Sequence, residues 1–327
     1  MYSIKSLQTA FAGLLEKEAE QLGTARPANL YQPIQYTFNM GGKRLRPVMV
    51  LMACDLFGGQ IEEAMYTALG LETFHNFTLL HDDIMDRASL RRNRKTVHKK
   101  YNENIAILSG DAMSNLAYHY MLKTKSPALH EILSLFTQTA IQVCEGQQFD
   151  MDYEDSLSVS IADYLEMIRM KTAVLIACSL KTGALIGNAS PQNADHIYEF
   201  GINLGLAFQL RDDLLDVYAD QDTFGKKTGG DIVSNKKTFL LLKTLELAGP
   251  EQKKELLSLI TTKNFDPGEK ITSVKKIYDE INIRQITVGL MDSYYRKAIL
   301  EMEAVEVEAS RKQELLLLAG KMMKREN

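Results

Sequence analysis

The sequence predicts an all-α protein, a single large helical bundle around a central cavity. Only 7 Pro and 20 Gly interrupt its 327 residues. The long windows between them repeat apolar residues at three- and four-residue spacing, the period of a helix rather than the alternation of a strand. With 45% hydrophobic and 24% charged residues, the chain carries enough apolar material for a large core, which excludes disorder as its main state. Length alone allows two domains of about 150 residues. No Pro/Ser-rich linker or compositional shift divides the chain, so residues 1–327 read as one domain.

The clearest helical windows run over 61–86, 104–123, 161–187 and 195–218. Several are apolar on most sides, as helices inside a bundle should be. Residues 89–103 (SLRRNRKTVHKKYNE) and 219–234 (ADQDTFGKKTGGDIVS) read as charged loops, each following an acidic cluster. The N-terminus turns acidic before a signal-peptide core develops, and no stretch approaches the roughly 18 apolar residues of a membrane span. A soluble, cytoplasmic protein is expected. Thirty-eight Lys and Arg against 42 Asp and Glu leave a formal charge of −4, which argues against a protein that coats nucleic acid or an anionic membrane. Anion binding must therefore be local. Cys54, Cys144 and Cys178 are odd in number, widely spaced and set among apolar neighbours, so they read as core residues rather than disulfides or metal ligands.

Two acidic clusters carry the chemistry: Asp82, Asp83 and Asp86 in HDDIMD, and Asp212, Asp213 and Asp216 in RDDLLD. Both read DDxxD, a pattern that 19 Asp in 327 residues would produce by chance on the order of 0.06 times. On a helix, positions i and i+4 share a face, so Asp82 with Asp86, and Asp212 with Asp216, each aim two carboxylates one way. Like charges in close approach cost about 1 kcal/mol in water and about 4 kcal/mol at an effective dielectric of 20. A hard divalent cation with oxygen ligands is implied. A solvated acidic helix end is the ordinary reading of one such motif, but both clusters here end strongly apolar helices. Mg²⁺ commonly binds through one or two carboxylates plus substrate phosphates, and phosphate partners are present in Gly41-Gly42-Lys43-Arg44-Leu45-Arg46-Pro47, Arg91-Arg92, and the neighbourhoods of Lys226 and Lys236. There is no GxxxxGK[ST], GxGxxG after a strand, GxSxG or HExxH, so nucleotide hydrolysis, hydride transfer and common hydrolase chemistry lack support. Two acid clusters gripping a diphosphate through metal ions suit its removal from carbon.

In order along the chain, GGKRLRP at 41–47, ExxHxxxxxHDDIMD from Glu72 to Asp86, Arg91-Arg92, TVH at 96–98, GD at 110–111, EGQ at 145–147, KTA at 171–173, AFQLRDDLLD at 207–216, GK at 225–226 and KKT at 236–238 resemble the trans-isoprenyl diphosphate synthases, also called polyprenyl synthetases. The likeness points to their short-chain geranylgeranyl and farnesyl members. It implies the isoprenoid-synthase helical fold and a prenyltransferase that condenses isopentenyl diphosphate with dimethylallyl, geranyl or farnesyl diphosphate, giving an all-trans C15 to C20 product. The resemblance further implies about three Mg²⁺ ions held by Asp82, Asp86 and Asp212, with Asp83, Asp213 and Asp216 in support. Arg91, Lys171, Lys226 and Lys236 would hold the allylic diphosphate. Lys43, Arg46, His75 and Arg92 would hold isopentenyl diphosphate without metal. Lys171, Thr172 and Gln209 would be the catalytic residues, with the oxygen dipoles of Thr172 and Gln209 flanking the developing cation, and Phe74, Phe77 and Thr78, eight, five and four residues before the first Asp, would set product length. Family members are usually homodimers.

Three departures stand out. Asn93 and Lys95 replace the usual Gly and Pro of RRGxPTVH, and Asn235 replaces the Gly before the loop lysine. Asn tolerates positive φ, whereas Lys95 loses the fixed φ of Pro. A class I terpene cyclase shares the fold but has no isopentenyl site and a different second metal motif. A non-catalytic partner subunit of a heteromeric synthase is expected to have lost an acid cluster.

Overall fold

A computed structural model describes residues 2–154, 156, 158–219, 228–262 and 264–324. These are almost wholly helical, in the order α1 (Ile4–Thr24), α2 (Ala28–Phe38), α3 (Leu45–Leu56), α4 (Ile61–Met85), a hairpin of β1 (Leu90–Arg91) and β2 (Arg94–Lys95), α5 (Val97–Lys100), α6 (Glu103–Met121), α7 (Leu129–Glu154), α8 (Ile161–Ile168), a π-helical turn (Arg169–Ala173), α9 (Val174–Ile186), α10 (Pro191–Tyr218), α11 (Gly230–Val233), α12 (Phe239–Leu247), α13 (Pro250–Thr261), α14 (Pro267–Glu280), α15 (Ile283–Ala304) and α16 (Ala309–Met323). The described chain forms two compact units. One comprises Met1–Thr137, Cys178–Ile197 and Glu306–Leu316, the other Gln138–Ala177, Tyr198–Val305 and Leu317–Asn327.

In the first unit, α1 starts where the Ser3 side chain accepts the Ser6 N–H, and it buries the stripe Leu7, Phe11, Leu15, Ala19 and Leu22. That four-residue spacing puts the stripe on one helix face. α3 is buried on nearly every side, from Pro47 to Cys54 without a break. α4 and α6 approach closely because glycines face their partners. A Cβ on Gly70 would lie 2.7 Å from the Ala117 carbonyl, and one on Gly110 would lie 2.2 Å from the His81 ring. Contacts below about 3 Å are repulsive, so Gly70, which faces backbone, lets the two helices approach, and Gly110 lets the His81 ring, next to the first acid cluster, lie against α6.

In the second unit, Leu214, Val217, Leu240, Leu256, Val274, Ile277 and Tyr278 form a core around α10, α12, α13 and α14. The window 161–187, which the apolar period reads as one helix, is interrupted. Residues 169–173 take an i→i−5 turn in which the Val174 N–H reaches the Arg169 carbonyl. Such π-turns bulge the backbone outward at functional positions. Here the bulge carries Lys171 and Thr172, and α7 meets it at Gly146, where a Cβ would lie 2.5 Å from the Lys171 nitrogen. Cys54 and Cys178 are buried as expected, but Cys144 is exposed on an outward face of α7. Residues 89–103 are not an irregular loop: they hold the hairpin, α5 and the start of α6.

Candidate active site

The first DDxxD ends α4 and divides into two parts. Asp86 is the C-cap. Beyond it Arg87 takes φ 52, the Arg87 N–H reaches the Ile84 carbonyl and the Ala88 N–H the Asp83 carbonyl, a Schellman closure. Carboxylates there sit at the negative end of the helix dipole, which disfavours them unless a cation is near. Asp86 is exposed and Asp82 half-buried, one turn apart. Asp83 points a quarter-turn away and is 3% exposed. Its two oxygens accept from Arg91 Nε at 2.9 and 2.8 Å, and Arg91 Nη2 lies 2.8 Å from Oδ1. Burial pushes the Asp83 carboxyl above the ordinary value and Arg91 opposes the shift. The resemblance gives Arg91 to a diphosphate. In this structure its guanidinium is engaged by Asp83, so the pair ties the hairpin to α4.

The hairpin turn has Arg92 at φ 51 and Asn93 at φ 59, the positive pair that a two-residue I′ turn requires. Asn93 thus keeps the backbone that Gly would give. Lys95 pairs with Leu90 and its carbonyl accepts the Tyr36 hydroxyl at 2.8 Å, so its place is held by pairing instead of by a proline ring.

Ahead of α3, Gly41 (φ 81), Gly42 (φ 129) and Arg44 (φ 50) take left-handed conformations. This turn gathers cations. Arg44 Nη1 meets Glu72 Oε1 at 2.5 Å, and Arg92 Nη1 donates to the Gly41 carbonyl. Arg46 Nη1 lies 3.0 Å from His75 Nε2. Because guanidinium can only donate, His75 Nε2 accepts and the ring is neutral. Burial, then Arg46 and Arg92, hold its pKa well below the ordinary value. Arg46 itself is brought down to about 10 by burial, against Glu72, and Arg92 is lowered chiefly by burial. A Cβ on Gly42 would strike the Arg92 guanidinium at 2.6 Å. Among the described residues neither Arg46 nor Arg92 has a carboxylate at ion-pair distance, so the turn holds unneutralised positive charge suited to an anion. Lys43 is exposed beside it.

Of the three length candidates, Phe74 is buried, 5.1 Å edge-on from Phe136 and 5.4 Å from Phe77. Phe77 is half-buried, with His81 at 4.7 Å. The Thr78 hydroxyl bonds back to the His75 carbonyl at 2.9 Å.

In the second unit, a partly open cleft of about 290 Å³ is lined by Asp150, Tyr164, Met167, Ile168, Lys171, Thr172, Gln209, Asp213 and Lys236. Lys171 Nζ reaches Asp150 Oδ2 at 2.6 Å and Lys236 Nζ lies 3.9 Å from the same oxygen. Burial pushes Asp150 up, but the two lysines outweigh it and hold the carboxyl below its ordinary range. Thr172 Oγ1 donates to Gln209 Oε1 at 3.0 Å, and Gln209 Nε2 donates to Asp213 Oδ1 at 2.9 Å. The Tyr164 hydroxyl donates to Asp213 Oδ2. Burial lifts Asp213 to about 6 although Lys236 opposes it.

The second motif therefore divides as the first does. Asp212 is 41% exposed, with Arg211 at 2.5 Å, while Asp213 anchors the inner network. Asp216 Oδ2 accepts the Asp231 N–H at 2.9 Å and so docks α11. Lys226 lies outside the described residues. Sequence reading missed Asp150, Tyr164 and Asp231. Asp231 directly follows Gly229-Gly230 and Asp150 lies one turn after Gly146 on α7, so glycines marked those two, whereas nothing local marked Tyr164.

Among the described residues no three His, Cys, Asp or Glu side chains gather into a closed metal cage. The outward carboxylates Asp82, Asp86 and Asp212 instead fit a hard ion whose remaining ligands are phosphate oxygens and water.

An all-helical fold with two DDxxD helix ends and an arginine-rich turn suited to an anion marks a class of diphosphate enzymes. The polyprenyl synthetase family model matches residues 27–281, and the chain belongs to that family. It is 38% identical to a geranylgeranyl diphosphate synthase of Sulfolobus acidocaldarius over 84% of each chain. It is 32% identical to a short chain isoprenyl diphosphate synthase of Methanothermobacter thermautotrophicus over 95% of each. A crystal structure of a geranylgeranyl pyrophosphate synthase superimposes with a TM-score of 0.93 at 41% identity, covering 100% of both chains.

Proposed function

We propose that this polyprenyl synthetase joins isopentenyl diphosphate head-to-tail to dimethylallyl, geranyl or farnesyl diphosphate and releases an all-trans C15 to C20 diphosphate. The observation that carries this reading is that in each DDxxD motif the second aspartate is a buried anchor while the first stays partly exposed, together with an arginine pair poised for an anion. Arg46 and Arg92, with Lys43 at the rim and neutral His75 orienting Arg46, hold the isopentenyl diphosphate. Arg offers a planar fork for phosphate oxygens and Lys a compact charge. Lys171 and Lys236, already paired to Asp150, and Lys226 hold the allylic diphosphate; Arg91 supports it from its place on Asp83.

Asp82, Asp86 and Asp212 would hold Mg²⁺, about three ions, which would supply Lewis-acid stabilisation of a leaving diphosphate. The allylic C–O bond breaks, the isopentenyl double bond attacks the cationic carbon, and a proton passes to the departed diphosphate. No side-chain base is needed. The Thr172 hydroxyl and Gln209 amide oxygen turn dipoles toward the positive carbon, the preorganised stabilisation that favours such a transition state. Residues 1–327 act as one domain, and the enzyme works as a cytoplasmic homodimer. Among the described residues no helix is long and apolar enough to cross a membrane.

The test is incubation of the purified protein with Mg²⁺, isopentenyl diphosphate and each allylic primer, with mass spectrometry of the dephosphorylated products. C15 or C20 alcohols are expected. No condensation with any primer, or condensation undiminished by chelator, would overturn the reading.

A further inference from the structure

Lys270 belongs to no motif that the proposed reaction uses, yet it is 2% exposed. Among the described residues it has no carboxylate at ion-pair distance. Burying an ammonium is costly unless its protons find acceptors. Its acceptors are both at the C-terminal end of α11: Asn235 Oδ1 at 2.6 Å and the Val233 carbonyl at 3.4 Å. The Phe265 ring stacks 4.0 Å from the ammonium. Asn235 Nδ2 in turn donates to the Ile260 carbonyl at 3.1 Å, so the Asn235 amide is gripped at both ends.

Asn235 is also the left-handed residue that ends α11, at φ 57. Its N–H reaches the Ile232 carbonyl at 3.3 Å, and the Lys236 N–H reaches the Asp231 carbonyl at 2.9 Å, which makes a Schellman closure. The residue that leaves this closure is Lys236, whose ammonium lines the cleft with Lys171 and Asp213. Gly at 235 would permit the same turn but would offer Lys270 no amide oxygen.

We propose that Lys270 is a positioning residue for the diphosphate-binding Lys236, acting through Asn235 by clamping the left-handed turn from which Lys236 projects. The proposal rests on the assignment of Lys236 to the allylic diphosphate. The clamp fixes where the Lys236 charge sits before substrate arrives, and a misplaced charge loses part of its hold on a diphosphate.

The experiment is steady-state kinetics on Lys270→Met, Asn235→Gly, the double variant and Lys236→Met, with KM measured separately for the allylic and isopentenyl substrates and Tm recorded for each. Lys270→Met is expected to raise the allylic KM about 5- to 10-fold, with the isopentenyl KM changed less than about 2-fold. In the Asn235→Gly background the same change should raise it less than about 2-fold further, since residues acting through one contact are non-additive. Equal shifts in both KM values, no shift, or an undiminished effect in the Asn235→Gly background would overturn the clamp. Should Lys270→Met not fold, Asn235→Gly alone decides: an allylic KM raised at least 3-fold supports the clamp, and an unchanged one refutes it. If Lys236→Met leaves the allylic KM unchanged, the assignment of Lys236 falls and the clamp with it. If that variant raises the KM while Lys270→Met does not, only the clamp falls.

Discussion

Replacing Arg91 with Met would separate an architectural role from a substrate-binding one. Asp83 is 3% exposed and both its oxygens are occupied by the Arg91 fork. Removing one partner of a buried ion pair costs about 3–5 kcal/mol, because the other charge stays buried and uncompensated. A ceiling applies, since the stranded carboxylate can protonate. Against an ordinary value of 3.8, protonation at pH 7 costs about 4 kcal/mol at roughly 1.4 kcal/mol per pH unit. The Arg91 side chain is 27% exposed, and water screens exposed pairs, so about 3 kcal/mol is expected at pH 7. The loss should shrink below about 1 kcal/mol near pH 4, where the carboxyl protonates at little cost. Urea unfolding at both pH values measures this, and Tm at pH 7 should fall by roughly 4–5 °C. Adding Asp83→Asn should recover most of the loss. If Arg91→Met kept full stability at pH 7 and only raised the allylic KM, Arg91 would not be held by Asp83 in solution, and the division of the first DDxxD would be wrong.

Asp82→Ala and Asp212→Ala, at partly exposed side chains, should leave Tm within about 2 °C yet lower kcat and kcat/KM by about three orders of magnitude or more, as loss of transition-state stabilisation does; chelator should mimic them and Mg²⁺ restore wild-type activity only. Phe74→Ala removes a buried ring and should cost about 3–5 kcal/mol in unfolding measurements, whereas half-buried Phe77→Ala should cost less and lengthen the product by at least one C5 unit in mass spectra. Burial lifts Asp213 to about 6 and Asp231 to about 7, so the native state retains protons that the unfolded chain releases. Metal-free stability should therefore fall as pH rises from about 4 to 7, by about 3 kcal/mol for Asp213 alone. Asp213→Asn should flatten that fall; an unchanged slope in pH-dependent urea titrations would show that Asp213 is ionised throughout.

The helical class, the six motif aspartates and the cationic segments were legible in the sequence because they depend on local period and residue chemistry. A three- and four-residue apolar spacing means a helix wherever it packs, and two DDxxD repeats concentrate like charge in any fold. Even the departures Asn93 and Asn235 could be read, because tolerance of positive φ belongs to the residue itself, and both hold it here. Packing decided what each carboxylate does. The helix period already paired Asp82 with Asp86 and set Asp83 about 100° away, but it does not say which of those faces meets the interior. Packing turns Asp83 inward beside Arg91 and leaves Asp82 half-buried. Likewise Asp150, Tyr164 and Asp231 are separated in sequence, and Lys270 looks like any other surface lysine of an amphipathic helix. Only the docking of α7, α8, α11 and α14 within one unit brings them to Lys171, Asp213 and Lys236, because burial and proximity, which set charge and hydrogen bonding, are properties of the packed chain.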